Sequence, residues 1–540
     1  MRSSHFYFVI LAAAGPVRAL NCKPRAEECT AETFASDGIV VESASHEAIG
    51  TLIPLPDTVA SCGGPSLQAN ITASLCRVVV NVATSDSSSV RIEAWLPDQW
   101  NNRFLATGGG GIGGCIDYET MQNGAFMGFA AFGTNGGHDG SAGHDFFLGH
   151  PEVINDFGHR SIHIEAEAGK KMVRKYYNQK DFKSYYQGCS TGGRQGFQTA
   201  QMFPDDFDGI LVGAPAVDWL RIVASKAVLA GRIGWPNFDS QAYVRPEQWP
   251  AIVAKQIELF DALDGVKDGI IDNPTDFRFD ASLLACGTGI LNNSLCLTGE
   301  QVLSVNKAYE PLADTTGRIV YPPFEIGSNT AVFSQNQMNG TELAYRVLDD
   351  FWRGAVYNDS NWSSLNWDDS QMDFAVHLNP GGVGFKDPDF TQYHARGGKI
   401  LAYHGRSDQT VTSKLSSEYF AEIQAALNFS TEEMHSFYNL FFIPGHEHCR
   451  NGPGAWNFGQ AGVVDPDRLD PVNNALMALT EWVEKGSPPT VLVGAKYVND
   501  DHTQGIEAER MHCPYPLRSV WNGKDDPKRR DSWTCQSPFD

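Results

Sequence analysis

The sequence predicts an α/β fold, in which a mostly parallel β-sheet is covered by helices on both faces. Short apolar segments alternate with glycine-rich turns and helical patterns in two stretches of the chain, as strand–helix repeats do. Several of these apolar segments have the composition of strands buried on both faces. The 540 residues, 42% of them hydrophobic, suffice for a large buried core.

The elements follow this alternation along the chain. Strands are predicted at Arg91–Leu96, Arg103–Ala106, Met127–Phe132, Ser184–Gln187, Gly209–Val212, Lys399–Tyr403 and Leu440–Ile443. Helices are predicted at Val153–Tyr177, Gly193–Met202 and Asn474–Lys485. Between about residues 217 and 386 the alternation stops, and Asn, Asp, Trp and Gly become frequent. The sequence therefore predicts one α/β domain formed by residues 20–216 and 387–540, with a lid domain, residues 217–386, inserted into it.

Residues 1–19 are predicted to be a secretory signal peptide. Arg2 supplies a positive charge, residues 6–14 form a short apolar run, and residues 17–19 resemble a cleavage site. The apolar run is far shorter than the roughly 18 residues of a membrane span. A secreted, extracellular protein is therefore expected, and a retained hydrophobic N-terminal helix is the alternative.

The charge balance argues against two classes of partner. Acidic residues number 64 and basic residues 41, which gives a formal net charge of −23. Such a surface repels phosphate backbones and anionic lipids, so neither nucleic acid nor a membrane is an expected partner. Neutral or weakly charged molecules are the expected substrates.

The cysteines and asparagines agree with secretion. The 11 cysteines include no CxxC pair and no zinc-ligand spacing, so structural disulfides are expected. The cysteines predicted to form them are Cys29, Cys62, Cys76, Cys115, Cys189, Cys286, Cys296, Cys449, Cys513 and Cys535. Cys22 has no assigned partner. Six glycosylation sequons, several of which should carry glycan in a secreted chain, occur at Asn70, Asn292, Asn339, Asn358, Asn361 and Asn428.

Ser190 is the candidate nucleophile. It is the central residue of Gly188-Cys189-Ser190-Thr191-Gly192, a G-x-S-x-G pattern between a predicted strand and a predicted helix. A sharp strand-to-helix turn brings backbone segments close together, and small flanking residues avoid a clash there. The serine oxygen is then exposed at a helix N-terminus, where N–H groups favour developing negative charge. An ordinary glycine-rich loop is the alternative interpretation.

An acid and a histidine follow two later strands. Asp408 lies in the loop after one predicted strand, and His448 lies in the loop after the next. The chain order Ser, Asp, His is the one found in hydrolases with a nucleophile elbow. Both loops are expected at the sheet edge that carries Ser190. His404 and His446 compete with His448, since each could be structural or contact the substrate.

Two cysteines favour His448 among these histidines. Cys189 directly precedes Ser190, and Cys449 directly follows His448. A disulfide between them would hold the serine within hydrogen-bonding reach of the histidine, as general-base catalysis requires. In the chain-entropy model so long a loop contributes on the order of 5 kcal/mol, an upper-end figure. A free, nucleophilic Cys189 is the alternative.

With these residues the chain resembles the tannase/feruloyl esterase family. The family signature joins Cys-Ser and His-Cys through a disulfide, and here it reads Cys189-Ser190, Asp408 and His448-Cys449. The resemblance extends over nearly the whole mature chain and includes residues 188–196 and 203–216. It implies an α/β-hydrolase fold with a large lid domain inserted between the nucleophile and acid strands. It also implies hydrolysis of phenolic acid esters.

The glycine run at residues 108–111 is the candidate oxyanion loop, because it directly follows a predicted strand. Glycine lets backbone N–H groups approach a reacting oxyanion closely. In this fold one donor comes from such an early loop, and the other comes from the residue after the nucleophile. Gly110 and Thr191 are therefore the predicted donors, and a flexible turn is the alternative interpretation of the glycine run.

An acidic loop in the predicted lid is the candidate metal site. Four aspartates and two glycines occur within twelve residues, and hard oxygen ligands at such spacing suit Ca²⁺. The spacing does not match an EF-hand, and a solvated acidic turn is the alternative. By the family resemblance, a structural calcium ion would take carboxylates from Asp261, Asp264 and Asp268 and backbone oxygens from Val266 and Ile270. No organic cofactor is expected.

The leading functional hypothesis is a secreted serine esterase with the triad Ser190, His448 and Asp408. The resemblance allows two substrate classes, namely feruloyl (hydroxycinnamoyl) esters of plant cell-wall polysaccharide and the galloyl esters that tannases cleave. Feruloyl esters are favoured, because fungal tannases of the family carry a longer insertion between the serine and the acid. A serine peptidase and a non-enzymatic secreted binding module on the same scaffold are the other hypotheses. The intact triad argues against the binding module.

Overall fold

A nine-stranded mixed sheet forms the centre of the molecule. The computed structural model describes residues 25–328 and 345–538. The strands of the central sheet, in chain order, are β1 Ile39–Glu47, β2 Leu75–Ser85, β3 Ser88–Pro97, β4 Arg103–Thr107, β5 Ala130–Thr134, β6 Lys183–Cys189, β7 Gly209–Gly213, β8 Lys399–Gly405 and β9 Tyr438–Ile443. Their spatial order is β1-β2-β3-β5-β4-β6-β7-β8-β9.

The sheet has an antiparallel part and a parallel part. The pairs β1–β2, β2–β3 and β3–β5 are antiparallel, whereas every neighbouring pair from β5 to β9 is parallel. Parallel neighbours require crossover connections, and helices supply them. The predicted α/β-hydrolase fold is confirmed.

Helices connect the strands and build much of the insertion. The α-helices of the described residues are Ala31–Phe34, Tyr118–Phe126, Pro151–Asn155, Ser161–Tyr177, Thr191–Met202, Trp219–Arg232, Trp249–Phe260, Gly299–Ala308, Arg346–Phe351, Ser370–Leu378, Thr391–Ala395, Ser413–Leu427, Thr431–Phe437 and Ala475–Lys485. Small antiparallel pairs join Leu52–Pro54 to Gln68–Asn70, Leu312–Ala313 to Ile319–Tyr321, Leu492–Tyr497 to Ile506–His512, and Arg518–Trp521 to Trp533–Gln536. None of the helices in the described ranges is both long and apolar enough to cross a bilayer.

Several predicted boundaries differ from the structure by one to three residues, and two of the differences have a clear structural reason. The strand predicted at Met127–Phe132 begins at Ala130, because Met127 closes the preceding helix by donating its N–H to the carbonyl of Asn123. The single helix predicted at Val153–Tyr177 is interrupted by a π-helical turn, Asp156–Arg160.

The π-helical turn is stabilised by the helix that follows the candidate nucleophile. The guanidinium of Arg194 donates to the carbonyls of Gly158, at 2.6 Å, and Phe157, at 3.2 Å. Arg194 is fully buried, and burial lowers its pKa to about 10. A π turn disturbs the regular i→i−4 ladder, and here a side chain from another element bonds two carbonyls of the turn.

The insertion shares its core with the sheet. It follows β7 and begins with the helix Trp219–Arg232, whose first residue packs edge-on against Phe157, at 5.7 Å between ring centroids, and Phe351, at 4.6 Å. One hydrophobic cluster contains these rings together with residues of the central strands. The predicted lid segment is therefore packed continuously onto the α/β core.

Five disulfides connect the ten cysteines predicted to form them. The pairs are Cys29–Cys76, Cys62–Cys115, Cys189–Cys449, Cys286–Cys296 and Cys513–Cys535. Five of the six sequon asparagines are exposed, namely Asn70, Asn292, Asn358, Asn361 and Asn428. The sixth, Asn339, lies outside the described residues, as do Cys22 and the predicted signal peptide.

Candidate active site

Ser190 forms the turn between β6 and the helix Thr191–Met202, called here the elbow helix. Its backbone has φ 62° and ψ −121°, a region that residues with a β-carbon rarely adopt. Its N–H donates to the carbonyl of Gly213 at 2.9 Å, and its carbonyl accepts from the N–H of Ala216 at 3.0 Å. These bonds to the end of β7 and to the loop after it hold the strained turn, which presents the serine side chain at the start of a helix.

Glycine is required on both sides of this turn. A β-carbon at Gly188 would lie 2.8 Å from the backbone carbonyl of Gly192. A β-carbon at Gly193 would lie 2.7 Å from the carbonyl oxygen of Gly213. Contacts this short do not occur between real β-carbons and backbone atoms, so close backbone packing requires glycine at Gly188 of the motif and at Gly193 directly after it.

The glycine run at 108–111 lies beside the elbow. The hydroxyl of Thr191 donates to the carbonyl of Gly111 at 2.6 Å and accepts from Trp219 Nε1 at 3.1 Å. Within the described ranges neither Gly110 nor Thr191 donates its N–H to another backbone group. The two predicted oxyanion donors thus lie on adjoining segments, and their role in stabilising an oxyanion stays a prediction.

Asp408 and His448 form a hydrogen-bonded pair in the loops after β8 and β9. His448 Nδ1 lies 2.7 Å from Asp408 Oδ2, with the carboxylate fully buried and the imidazole 16% exposed. The other carboxylate oxygen accepts the N–H groups of Thr410, at 2.7 Å, and Val411, at 2.8 Å. Because Nδ1 faces a carboxylate, it carries the proton, and Nε2 is the nitrogen able to act as a base.

The surroundings of Asp408 favour its charged form. Burial opposes ionisation, but the charge of His448 and the hydrogen bonds from His404 and His448 outweigh it and hold the pKa of Asp408 well below its usual range. A carboxylate that stays charged can orient an imidazole and stabilise an imidazolium.

The two competing histidines are both buried. His446 bonds the carbonyl of Asn451 through Nδ1 at 3.0 Å and stacks on Trp456, and burial lowers its pKa to about 4. His404 is equally buried and lies 3.2 Å from Asp408 Oδ2. Of the three histidines, His448 is the one with a partly exposed ring, which a base that receives a proton at the substrate needs.

A disulfide links the loop of the serine to the loop of the histidine. Cys189 and Cys449 are bonded, with 5.9 Å between their Cα atoms, which confirms the predicted pairing. Cys189 ends β6 immediately before Ser190, and Cys449 has φ 62° immediately after His448. The bond therefore limits the separation of the candidate nucleophile and base.

The acidic loop is organised around one aspartate. Asp261 is buried, and its Oδ1 accepts the N–H groups of Asp268 and Gly269, each at 3.0 Å, and of Ile270 at 3.3 Å. Asp264 Oδ1 accepts a local N–H at 3.0 Å. These bonds fold the backbone of residues 268–270 around the Asp261 carboxylate.

A bound cation would offset the mutual repulsion of the carboxylates in this loop. Desolvation, together with the nearby charges of Asp264 and Asp261, raises the pKa of Asp268 to about 6 against the opposing effect of Arg510. In the described part of the chain, no group of three or more His, Cys, Asp or Glu side chains is arranged to hold a metal ion. The calcium site therefore stays a prediction.

Lys226 is a residue that the sequence interpretation missed. It is buried in the helix Trp219–Arg232, where its ammonium donates to the carbonyl of Thr410 at 2.7 Å and lies 4.2 Å from the ring centroid of Phe324. Burial lowers its pKa to about 7, partly offset by the charge of Asp408. A single lysine within an apolar helical segment was the available signal, and it ties the insertion to the acid loop.

The comparisons with known proteins agree with this geometry. A family model described as tannase and feruloyl esterase matches residues 76–536. A probable feruloyl esterase B-2 of Aspergillus terreus is 38% identical over 495 residues, which cover 92% of each chain.

Solved structures give the same result. An esterase and a feruloyl esterase B, both from Aspergillus oryzae, match with TM-scores of 0.88 and 0.87 and identities of 36% and 34%. Each match covers 95% of this chain and 100% of the other. A tannin acyl hydrolase from Aspergillus niger, at 23% identity and a TM-score of 0.72, shares the fold. The chain belongs to the tannase and feruloyl esterase family.

Proposed function

We propose that this protein is a secreted serine esterase that hydrolyses hydroxycinnamoyl esters, such as the feruloyl esters of plant cell-wall polysaccharide. Membership of the family makes it a carboxylic ester hydrolase. The observation that carries the mechanism is the hydrogen bond between Asp408 and His448. The loop of His448 is linked by a disulfide to the strained turn of Ser190. The relatives named feruloyl esterase B support the substrate class.

Acylation uses the three side chains in sequence. Ser190 Oγ attacks the ester carbonyl carbon while His448 Nε2 removes its proton. Asp408 keeps the ring oriented and stabilises the imidazolium. The N–H groups of Gly110 and Thr191 hydrogen-bond the oxyanion of the tetrahedral intermediate. His448 then gives its proton to the leaving alcohol, and a hydroxycinnamoyl ester of Ser190 remains.

Deacylation repeats these steps with water. His448 removes a proton from a water molecule, which attacks the acyl carbon. The second tetrahedral intermediate collapses, Ser190 recovers its proton from His448, and the free phenolic acid leaves. Each proton that His448 removes is returned within the cycle, and no residue changes its oxidation state, so the reaction uses no cofactor.

Paired substrates distinguish the two ester classes. We expect kcat/KM for methyl ferulate to exceed that for methyl gallate by about tenfold or more, because the two acyl groups differ in spacer and in ring substituents, and even a one-group mismatch in a fitted pocket has effects of that order. The two methyl esters share a leaving group, so the comparison isolates the acyl side. Preference for methyl gallate would instead assign the protein as a tannase, and cleavage of amide analogues would favour the peptidase hypothesis.

Secretion and glycosylation are part of the proposal. The five disulfides suit an oxidising compartment. The five described sequon asparagines are exposed and therefore accessible to glycan transfer. An extracellular location also matches a polysaccharide substrate too large to enter a cell.

We also propose a structural calcium ion in the acidic loop, bound by Asp261, Asp264 and Asp268 with backbone oxygens of Val266 and Ile270. The loop lies in the insertion, so the ion would stabilise the fold rather than take part in the reaction. A ligand that binds only the native state raises stability by mass action.

Chelation tests the ion. A strong calcium chelator is expected to lower Tm by about 2 °C or more, which corresponds to roughly 2 kcal/mol in a chain of this size. Activity at room temperature should fall much less. The Asp268→Asn variant should start with the lower Tm and lose nothing further on chelation, whereas Asp239→Asn, an exposed aspartate of the insertion, should behave as the wild type. An unchanged wild-type Tm after exhaustive chelation would contradict the proposal.

A further inference from the structure

We propose that His404 is a positioning residue, which fixes the carboxylate of Asp408 and so sets how strongly that carboxylate attracts His448. The inference rests on the proposed roles of Asp408 and His448 in ester hydrolysis. His404 lies at the end of β8, four residues before Asp408, with 0% exposure. The ring cannot reach a substrate, so any influence on the reaction must pass through its neighbours.

The hydrogen bonds of His404 determine where its proton lies. Nε2 is 3.0 Å from the carbonyl oxygen of Val411 and 3.2 Å from Asp408 Oδ2. A carbonyl oxygen can only accept, so Nε2 carries a hydrogen, which is shared between these two acceptors. Nδ1 lies 2.7 Å from the hydroxyl of Ser416, a buried residue of the helix Ser413–Leu427. The ring is therefore held at both nitrogens.

This arrangement gives the Asp408 carboxylate a full set of donors. Oδ2 faces the two imidazoles of His404 and His448, and Oδ1 accepts two backbone N–H groups of the loop. Rotation of the carboxylate away from His448 would break the contact with His404 as well. A second donor on Oδ2 also disperses its charge, which makes it a weaker acceptor for His448.

Other titratable groups face Asp408 but do not hydrogen-bond its carboxylate in the described ranges. They are Lys226, Tyr321, Tyr345 and His446, which interact with it electrostatically. The ammonium of Lys226 bonds a backbone carbonyl of the loop, and the hydroxyl of Tyr321 accepts a backbone N–H of the same loop at 3.4 Å. Besides His448, His404 is the titratable side chain in direct contact with the carboxylate.

Two substitutions at His404 test the N–H donor, since one keeps a donor and the other removes it. His404→Gln keeps an N–H donor close to the position of Nε2, whereas His404→Leu removes it. With methyl ferulate, we expect His404→Leu to lower kcat about tenfold or more while KM changes by less than about twofold, since the effect is on the triad and not on substrate binding. His404→Gln should retain most of the wild-type kcat.

The pH profile carries the specific signature. Loss of a donor leaves more negative charge on the Asp408 carboxylate, which then attracts the imidazolium of His448 more strongly. On the acid side of the pH profile kcat/KM falls, and this part of the curve is called here the acid limb. The acid limb should move to higher pH in His404→Leu and stay in place in His404→Gln. The shift should persist in a Lys226→Met background, because Lys226 bonds the backbone and not the carboxylate.

A matched control excludes a general packing effect. His512 is equally buried and bonds one carbonyl, that of Ala455, at 2.8 Å. His512→Leu should lower Tm without moving the acid limb. If His404→Leu does not fold, Ser416→Ala replaces it as the test, and we expect a smaller loss of kcat with a shift of the acid limb in the same direction, because the ring loses its second anchor.

The outcomes distinguish this inference from the proposed function. The role of His404 would be overturned if His404→Leu, or its substitute Ser416→Ala, kept the wild-type kcat per folded molecule and an unmoved acid limb. This conclusion requires that Ser190→Ala is inactive. An equal limb shift in His512→Leu would overturn it as well. Activity of Ser190→Ala would instead overturn the triad on which the inference rests.

Discussion

Replacing Ser190 with alanine is expected to lower hydrolysis of methyl ferulate by several orders of magnitude. Ser190 supplies the attacking oxygen, and the members of a triad act as a unit, so the remaining groups cannot form the acyl-enzyme. The turn at Ser190 is held by backbone bonds to Gly213 and Ala216, which alanine preserves. The variant should therefore keep the wild-type Tm, and kcat measured together with thermal melting checks both statements.

Ser436 provides a control for this substitution. It is an exposed serine of the helix Thr431–Phe437, whose hydroxyl donates to the carbonyl of Glu433. Ser436→Ala should be as active as the wild type. If Ser190→Ala kept even a tenth of the wild-type turnover, the assignment of Ser190 as nucleophile would be wrong.

Replacing both Cys189 and Cys449 with alanine is expected to lower turnover as well as stability. The disulfide spans 260 residues of sequence, so in the chain-entropy model its loss costs on the order of 5 kcal/mol at most. Without the bond, the loop of His448 can sample positions too far from Ser190 for proton transfer. Turnover per folded molecule, assayed well below Tm, should fall about tenfold or more.

The disulfide Cys513–Cys535 separates the two effects. It spans 22 residues near the end of the chain and does not adjoin a triad residue. Replacing that pair with alanine should lower Tm and leave turnover per folded molecule unchanged. If the Cys189/Cys449 variant behaved in the same way, its disulfide would be structural and would have no part in positioning the base.

The sequence predicts the parallel half of the sheet well, because its strands are buried on both faces and their apolar runs are conspicuous. β7 and β8, for example, begin where they were predicted and extend only one or two residues further. β1 was not predicted. It is an edge strand, and most of its residues are partly or fully exposed, so polar side chains interrupt the apolar signal.

Local chemistry explains which parts of the site could be predicted. The glycines around Ser190 are required by short-range geometry, and the two cysteines directly adjoin Ser190 and His448 in the sequence, so both features form a readable pattern. The contacts of His404 with Ser416 and of Lys226 with Thr410 join segments whose proximity only the fold creates. Burial of these two polar side chains is a property of tertiary structure, and composition does not reveal it.

The central claim is that Ser190 becomes covalently acylated through activation by His448. Labelling with a serine-directed fluorophosphonate, followed by peptide mapping by mass spectrometry, tests it most directly. The account predicts a single stoichiometric adduct on Ser190, which forms more slowly while saturating methyl ferulate is present, is absent in Ser190→Ala and forms much more slowly in His448→Ala. A stoichiometric adduct on another residue, or full esterase activity in protein that remains unlabelled, would contradict it.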